Sequence, residues 1–255
     1  MAIFSSIASC YQRRDGCLDQ LAANYSISAD DECSSCCTYP DLILNLIKNN
    51  GNVAFNNSDT LVNGFGQKYT FIEAKFYVSQ FTVSQDGDQT HLIRETITDS
   101  VSKLSYVDDV KIINFKEPSK IIGTMRASGY FEGYTFLLGL DSDISDASFS
   151  TTPKTHPLNP LGRLEDEDGD LIQAYFSIAN IKDDGNDTLN YFLPITEMNE
   201  VMTMNSRDTT TFGQPINLEL SYDLSQIFID VDLAKTPETQ IDQCLKNFQT
   251  KLIVK

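Results

Sequence analysis

The sequence predicts an all-β fold: a Greek-key or Ig-like antiparallel β-sandwich with a C-terminal helix and a disulfide-rich N-terminal segment. Three observations carry that expectation. After Pro40 the chain runs in short apolar stretches separated by turn residues. Five of the six cysteines (Cys10, Cys17, Cys33, Cys36 and Cys37) lie ahead of that point. A single helical pattern closes the chain. Residues 1–10 therefore read as a residual signal or lipobox-like segment, 11–40 as a Cys-rich module and 41–255 as the sandwich domain.

The elements follow in order. Leu42, Leu44 and Leu46 alternate with Ile43, Asn45 and Ile47. The run ends at Asn49-Asn50-Gly51, where an Asn-Gly pair supplies the positive φ of a tight turn. Phe71 to Val83 is aromatic and β-branched, and Asp86-Gly87-Asp88 closes a hairpin into Thr90 to Ile93. Lys111 to Phe115 is a further short strand. Tyr130 to Leu140 is the most apolar stretch and is expected as one central strand. Ala174 to Ile181 and Leu189 to Leu193 flank the turn Lys182 to Asp187. In Ile216 to Tyr222, Ile216, Leu218, Leu220 and Tyr222 face inward while Asn217, Glu219 and Ser221 face out.

At the C-terminus Thr236 is the expected N-cap and Pro237 the first helical residue. Ile241, Leu245, Phe248 and Leu252 then share one helical face, with Cys244 beside it. Such a helix is expected to pack on the sandwich as a lid or end plug.

Charge narrows the function. The 255 residues carry 36 Asp plus Glu against 19 Lys plus Arg, a net charge of −17. That charge repels phosphate backbones and excludes a nucleic-acid binder. A hydrophobic content of 41% is enough for a core. No apolar run approaches the roughly 18 residues that span a bilayer, so membrane contact is expected only through a lipid anchor. No nucleophile elbow, P-loop, HExxH or dinucleotide fingerprint occurs, so a non-catalytic protein without an organic cofactor is expected.

Cys33 and Cys36 have zinc spacing, but a second pair is missing and no histidine is near. Disulfides among Cys17, Cys33, Cys36 and Cys37 are the preferred reading, with three connectivities open. Cys244 is then a buried free thiol. Ile7-Ala8-Ser9-Cys10 resembles a lipobox, which makes Cys10 a candidate for lipidation, with an ordinary disulfide partner as the alternative. Met1 to Ser9 lacks Lys and Arg and is too short for a full signal peptide.

Residues 16 to 40 resemble a Cys-bounded module of secreted and cell-surface proteins of some Gram-negative bacteria. Gly16-Cys17, Asp19, Ala22, Asn24-Tyr25, Ala29-Asp30-Asp31 and Tyr39-Pro40 carry the match, and Glu32-Cys33 followed by Ser34-Ser35-Cys36-Cys37 departs from it. The resemblance implies an exported protein, which with the lipobox-like Cys10 is expected as a periplasmic, outer-membrane or cell-surface lipoprotein of a Gram-negative bacterium. The cluster Asp30-Asp31-Glu32 is read as a solvated turn, with a part in Ca²⁺ binding as the alternative.

Ala74 to Val83, Thr90-His91-Leu92-Ile93, Gly133 to Asp141, His156-Pro157-Leu158-Asn159-Pro160 and Ile216 to Phe228 follow in an order similar to the MbnP-like domain family. That family is named for a periplasmic methanobactin-binding protein and includes copper-binding surface proteins. The resemblance covers roughly residues 41 to 250. It implies binding of copper or a metallophore and a di-haem peroxidase as a partner. The family's copper proteins hold the metal with imidazoles and an oxidised tryptophan. Here Leu161 to Tyr175 replaces the tryptophan-rich run, and the chain has no tryptophan. A kynurenine ligand cannot form.

His91 and His156 are the copper candidates, since neutral imidazole suits that metal. A third ligand would come from Asp141, Asp143, Met125 or water. For Ca²⁺ the candidate is the loop Glu165 to Asp170, in which Asp166, Asp168 and Asp170 supply hard oxygens and Gly169 the turn. Asp141, Asp143 and Asp146, or Asp183, Asp184 and Asp187, are further candidates. The competing readings are solvated surface turns, a strand position for His91 and a loop cap for His156. With these residues, the resemblance implies an exported or lipid-anchored binding protein for copper or a metallophore. The alternative is a Ca²⁺-stabilised cell-surface module that binds a protein or glycan.

Overall fold

A computed structural model describes residues 11–254 except 34, 86–87, 91–92, 196–200 and 206–207. The alternating residues organise two packed sheets. The nine principal strands are β1 (Asp41–Asn50), β2 (Lys68–Gln85), β3 (Lys111–Asn114), β4 (Ser119–Thr124), β5 (Gly133–Leu138), β6 (Ile172–Ile181), β7 (Asp187–Pro194), β8 (Val201–Met204) and β9 (Ile216–Asp223). The larger sheet has eight strands, with the path β7-β6-β2-β5-β8 and β3 also on β2. The smaller sheet has the path β4-β1-β9. The antiparallel sandwich expected from sequence is formed, with one exception. β1 and β9, far apart in the chain, pair in parallel from Leu42–Ile216 to Asn49–Asp223. Leu42, Leu44, Leu46, Leu218 and Leu220 thus share one inner face.

Three sequence expectations change. Tyr130 to Leu140 is not one central strand. It breaks into Gly129–Phe131 and β5, and the centre belongs to β2, which runs 18 residues. β5 opens at Gly133, whose backbone lies so near the Met204 carbonyl that a Cβ would sit 2.4 Å from its oxygen. The first turn uses Gly51-Asn52, because Asn50 still pairs with Val53, and Gly51 takes the φ of +60°. Thr236 makes no side-chain cap; Pro237–Gln240 forms a 3₁₀ turn ahead of the C-terminal helix, Ile241–Lys251.

The main core lies between the sheets and under that helix. Phe248 packs edge-on against Phe76 and Phe176, so the helix covers inner sheet face. Cys244 is free and fully buried as expected, and burial pushes its thiol pKa up, which makes it unreactive. A second apolar cluster, including Tyr77, Leu140, Phe149, Leu164 and Ile172, covers the other face of the large sheet.

Asp99 pins the loops over that second cluster. Its carboxylate accepts from the backbone N–H groups of Val101 (2.9 Å), Ser102 (3.0 Å) and Ser148 (3.1 Å) and from the Ser102 hydroxyl. The Ser102 hydroxyl, then these N–H groups, hold its pKa far below the usual carboxylate range despite burial. The folded pKa lies below the unfolded value of roughly 3.9. The stability it adds is therefore full above that value and is lost as pH falls below it. An Asp99→Asn variant should lose stability at neutral pH and show a shallower decline between neutral pH and strong acid. Urea midpoints across that range check this; parallel profiles for the two proteins contradict it.

Gln173 sits in the bulge where β6 shifts register between Ile172 and Ala174. It is fully buried, yet neither Nε2 nor Oε1 has a partner. An unsatisfied buried amide costs on the order of 1–3 kcal/mol. Gln173→Met should raise the urea midpoint at unchanged m-value. A lower midpoint would show that the amide has a stabilising role.

In the N-terminal module, Cys17 bonds to Cys37 and Cys33 to Cys36. The motif residues explain themselves: Asn24 donates to the Cys36 carbonyl (2.7 Å) and accepts from the Thr38 N–H (2.8 Å). Asp19 accepts from the Tyr39 hydroxyl (2.9 Å) and pairs with Arg126 of the sandwich (2.6 Å). Arg94 lies 3.7 Å over the Tyr39 ring. Asp30 binds the Tyr11 hydroxyl and the Arg14 N–H, and Asp31 binds Arg13.

Candidate functional site

The sequence candidates lie apart. His91 and Cys10 fall outside the described residues. His156 is tucked into its loop with its side chain 9% exposed. The Leu158 N–H donates to Nδ1 (3.1 Å), so Nε2 carries the hydrogen toward Asp108 Oδ1 (3.0 Å). Both ring nitrogens are engaged. Burial works against the Asp108 charge, but His156 and Lys111 outweigh it and hold the Asp108 pKa low. Met125 belongs to the main core. Asp141 accepts from Gln80 and from the Asp143 N–H (2.8 Å), and Asp143 is exposed. Asp187 pairs with Lys182. Among the described residues no three His, Cys, Asp or Glu side chains gather as metal ligands do.

The acidic loop has a different neighbourhood from the one its sequence suggests. Asp166 Oδ1 accepts from the N–H groups of Asp168 (3.0 Å) and Asp170 (2.9 Å), and Gly169 takes a φ of +86°. Asp166 therefore folds the loop, while Glu167, Asp168 and Asp170 stay exposed. Asp166, Glu167 and Asp168 form one wall of a cleft of about 570 Å³. Pro237, Glu238, Ile241 and Asp242, at the start of the C-terminal helix, form the opposite wall. Thr188, Leu189, Asn190 and Phe192 of β7 form the floor.

The electrostatics are one-sided. Five carboxylates line this cleft and no Lys or Arg does. Among the described residues none of the five forms an ion pair. The helix start offers about half a positive charge to Glu238 and Asp242, which leaves most of the negative charge unbalanced. The cleft is apolar in part, through Leu189 and Phe192 of the floor and Ile241 of the helix wall. Phe192 is fixed by stacking on Tyr175 at 5.1 Å between centroids. The cleft thus offers negative walls and an apolar floor to a cation with hydrocarbon attached.

Sequence reading found one wall, the acidic loop. It missed Glu238, Asp242 and the β7 floor. The only available signal was the acidic first turn of the helix, which ordinary dipole compensation explains equally well.

The fold and site define a two-sheet β-sandwich with an acidic cleft at one edge. No family model matches the chain, and no curated protein matches it. Among solved structures the chain is similar to MbnP from Methylosinus trichosporium, with a TM-score of 0.44 and 12% identity over 75% of this chain and 78% of that one.

Proposed function

We propose that the protein is an exported, non-catalytic binding protein whose acidic cleft holds a cationic organic group of a partner molecule. The single observation that carries this reading is the set of five unpaired carboxylates around an apolar floor. A bound Ca²⁺ wants six to eight oxygens at about 2.3–2.6 Å, and among the described residues no three carboxylates of this cleft gather as metal ligands do. A lysine or arginine side chain suits both walls and floor, since its stem covers apolar surface while its charge meets carboxylate. The two disulfides support export, because such bonds persist in oxidising compartments.

Thermal unfolding separates this reading from the metal readings. A ligand that prefers the folded state raises the midpoint by mass action. Oligolysine should raise it, and less so at high salt, where screening is stronger. Ca²⁺ and Cu(II) should leave it unchanged. A rise with either metal that EDTA reverses, without any effect of oligolysine, would return the site to a metal.

A further inference from the structure

The cleft does not lie on a sheet face. Successive strand residues point to opposite faces, so a cleft touching one face meets every second residue. This one is lined by three consecutive residues, Thr188, Leu189 and Asn190. It therefore runs along the outer edge of β7, the last strand of the large sheet. β7 pairs with β6 from Asp187–Asn180 to Pro194–Ile172. Among the described residues no strand and no backbone hydrogen bond closes its other edge. In an antiparallel pair the N–H and C=O groups of alternate residues point away from the partner strand. Those of β7 point into the cleft.

The two edges of the small sheet are treated differently. On β9 the Asp223 N–H donates to the Leu252 carbonyl (2.8 Å) and the Val254 N–H to the Ser221 carbonyl (2.9 Å). Tyr134 caps the Glu219 carbonyl further along. On β4 the Thr124 N–H donates to Glu95 Oε2 (2.9 Å), and the Arg94 N–H reaches the Thr124 carbonyl (3.2 Å). Proteins also protect an open edge by placing charges on the edge strand itself. Here the four β7 residues on the cleft are uncharged, and the carboxylates stand on the two walls beside it. That arrangement leaves a slot.

Resting on the reading of the cleft as a cation site, we propose that β7 accepts an extended basic segment of a partner protein as an added strand. Main-chain hydrogen bonds to β7 would supply affinity and alternate side chains specificity. Lysine or arginine side chains on the segment meet Glu167, Asp168, Glu238 and Asp242, and an apolar side chain covers Phe192 and Ile241. Charge decides the occupant: a second copy of this chain would bring a net charge of −17 and the same carboxylates to the slot.

The test uses the full chain and a fluorescent short peptide of alternating lysine and valine, read by anisotropy. Three competitors are compared: the same peptide, the same peptide N-methylated at every second residue, and free spermidine. Methylation on the side that faces β7 keeps the charges but removes the strand's donors. The expected result is a loss of about tenfold or more in affinity on methylation, with protection of the β7 amides from exchange in the complex. Equal binding of the methylated and plain peptides would overturn strand addition while leaving the cation cleft standing. Failure of spermidine and of every basic peptide to bind would overturn both. Concentration-dependent protection of the β7 amides without peptide would assign the edge to a second copy and overturn the proposal.

Discussion

Phe228→Ala is expected to cost about 3–5 kcal/mol of folding stability, the range for emptying a buried phenylalanine site. Phe228 is fully buried just after the end of β9. Its ring lies 4.8 Å from Tyr191, 5.3 Å from Tyr69, 5.7 Å from Phe71 and 6.2 Å from Phe176. Those four rings come from β2, β6 and β7 of the large sheet. One side chain therefore ties the exit of the small sheet to three strands of the large one. Five rings that fix each other cannot close over the void, so the cavity cost adds to the lost transfer free energy. Domains of this size have about 5–15 kcal/mol in total, so the variant loses a large share. Urea unfolding should show a lower midpoint with an unchanged m-value. A loss below about 1 kcal/mol would mean that the cluster repacks freely.

The second large effect belongs to the module. Among the described residues between 11 and 40 the buried apolar side chains are Cys17, Ala22 and Pro40. So small a core cannot hold a fold alone. The Cys17–Cys37 bond, at a sequence separation of 20, is expected to stabilise it by about 3 kcal/mol through the entropy of the open chain. In a Cys17→Ser/Cys37→Ser variant the module should open while the sandwich stays closed, because neither apolar core cluster of the sandwich includes a residue of the module. Hydrogen exchange should show lost protection at Ala23, Ser26 and Cys33, whose N–H groups bond within the module, and retained protection in β2 and β6. Unchanged protection in the module would contradict this.

What was legible in the sequence follows the range of the forces involved. Ile216 to Tyr222 reads directly as a half-buried strand because a period of two is a local signal. The helical face of Ile241 to Leu252 reads for the same reason. The break at Glu132 does not, since it shows in partners distant in sequence: Gly129–Phe131 pairs with Asp208–Thr210, whereas β5 pairs with β2 and β8. The parallel pairing of β1 with β9 is likewise a long-range choice with no local mark. Cysteine pairing was open among three connectivities, and geometry selects one. The cleft was the least legible feature. Its walls and floor come from three separate segments, and each alone reads as a solvated loop, an edge strand or a compensated helix dipole. The histidines stood out in sequence because they are rare, not because of their surroundings: His156 spends its two nitrogens on its own loop and on Asp108.

The proposed cationic ligand requires the carboxylates of this cleft to act together. Calorimetric titration of oligolysine into the wild type and into the Glu167→Gln/Asp168→Asn/Glu238→Gln/Asp242→Asn variant tests it most directly. All four residues are exposed, so the variant should fold with near-native stability. Binding by the wild type should weaken with salt, and the variant should lose about tenfold or more in affinity. Equal affinity for the two proteins at the same ionic strength would contradict it.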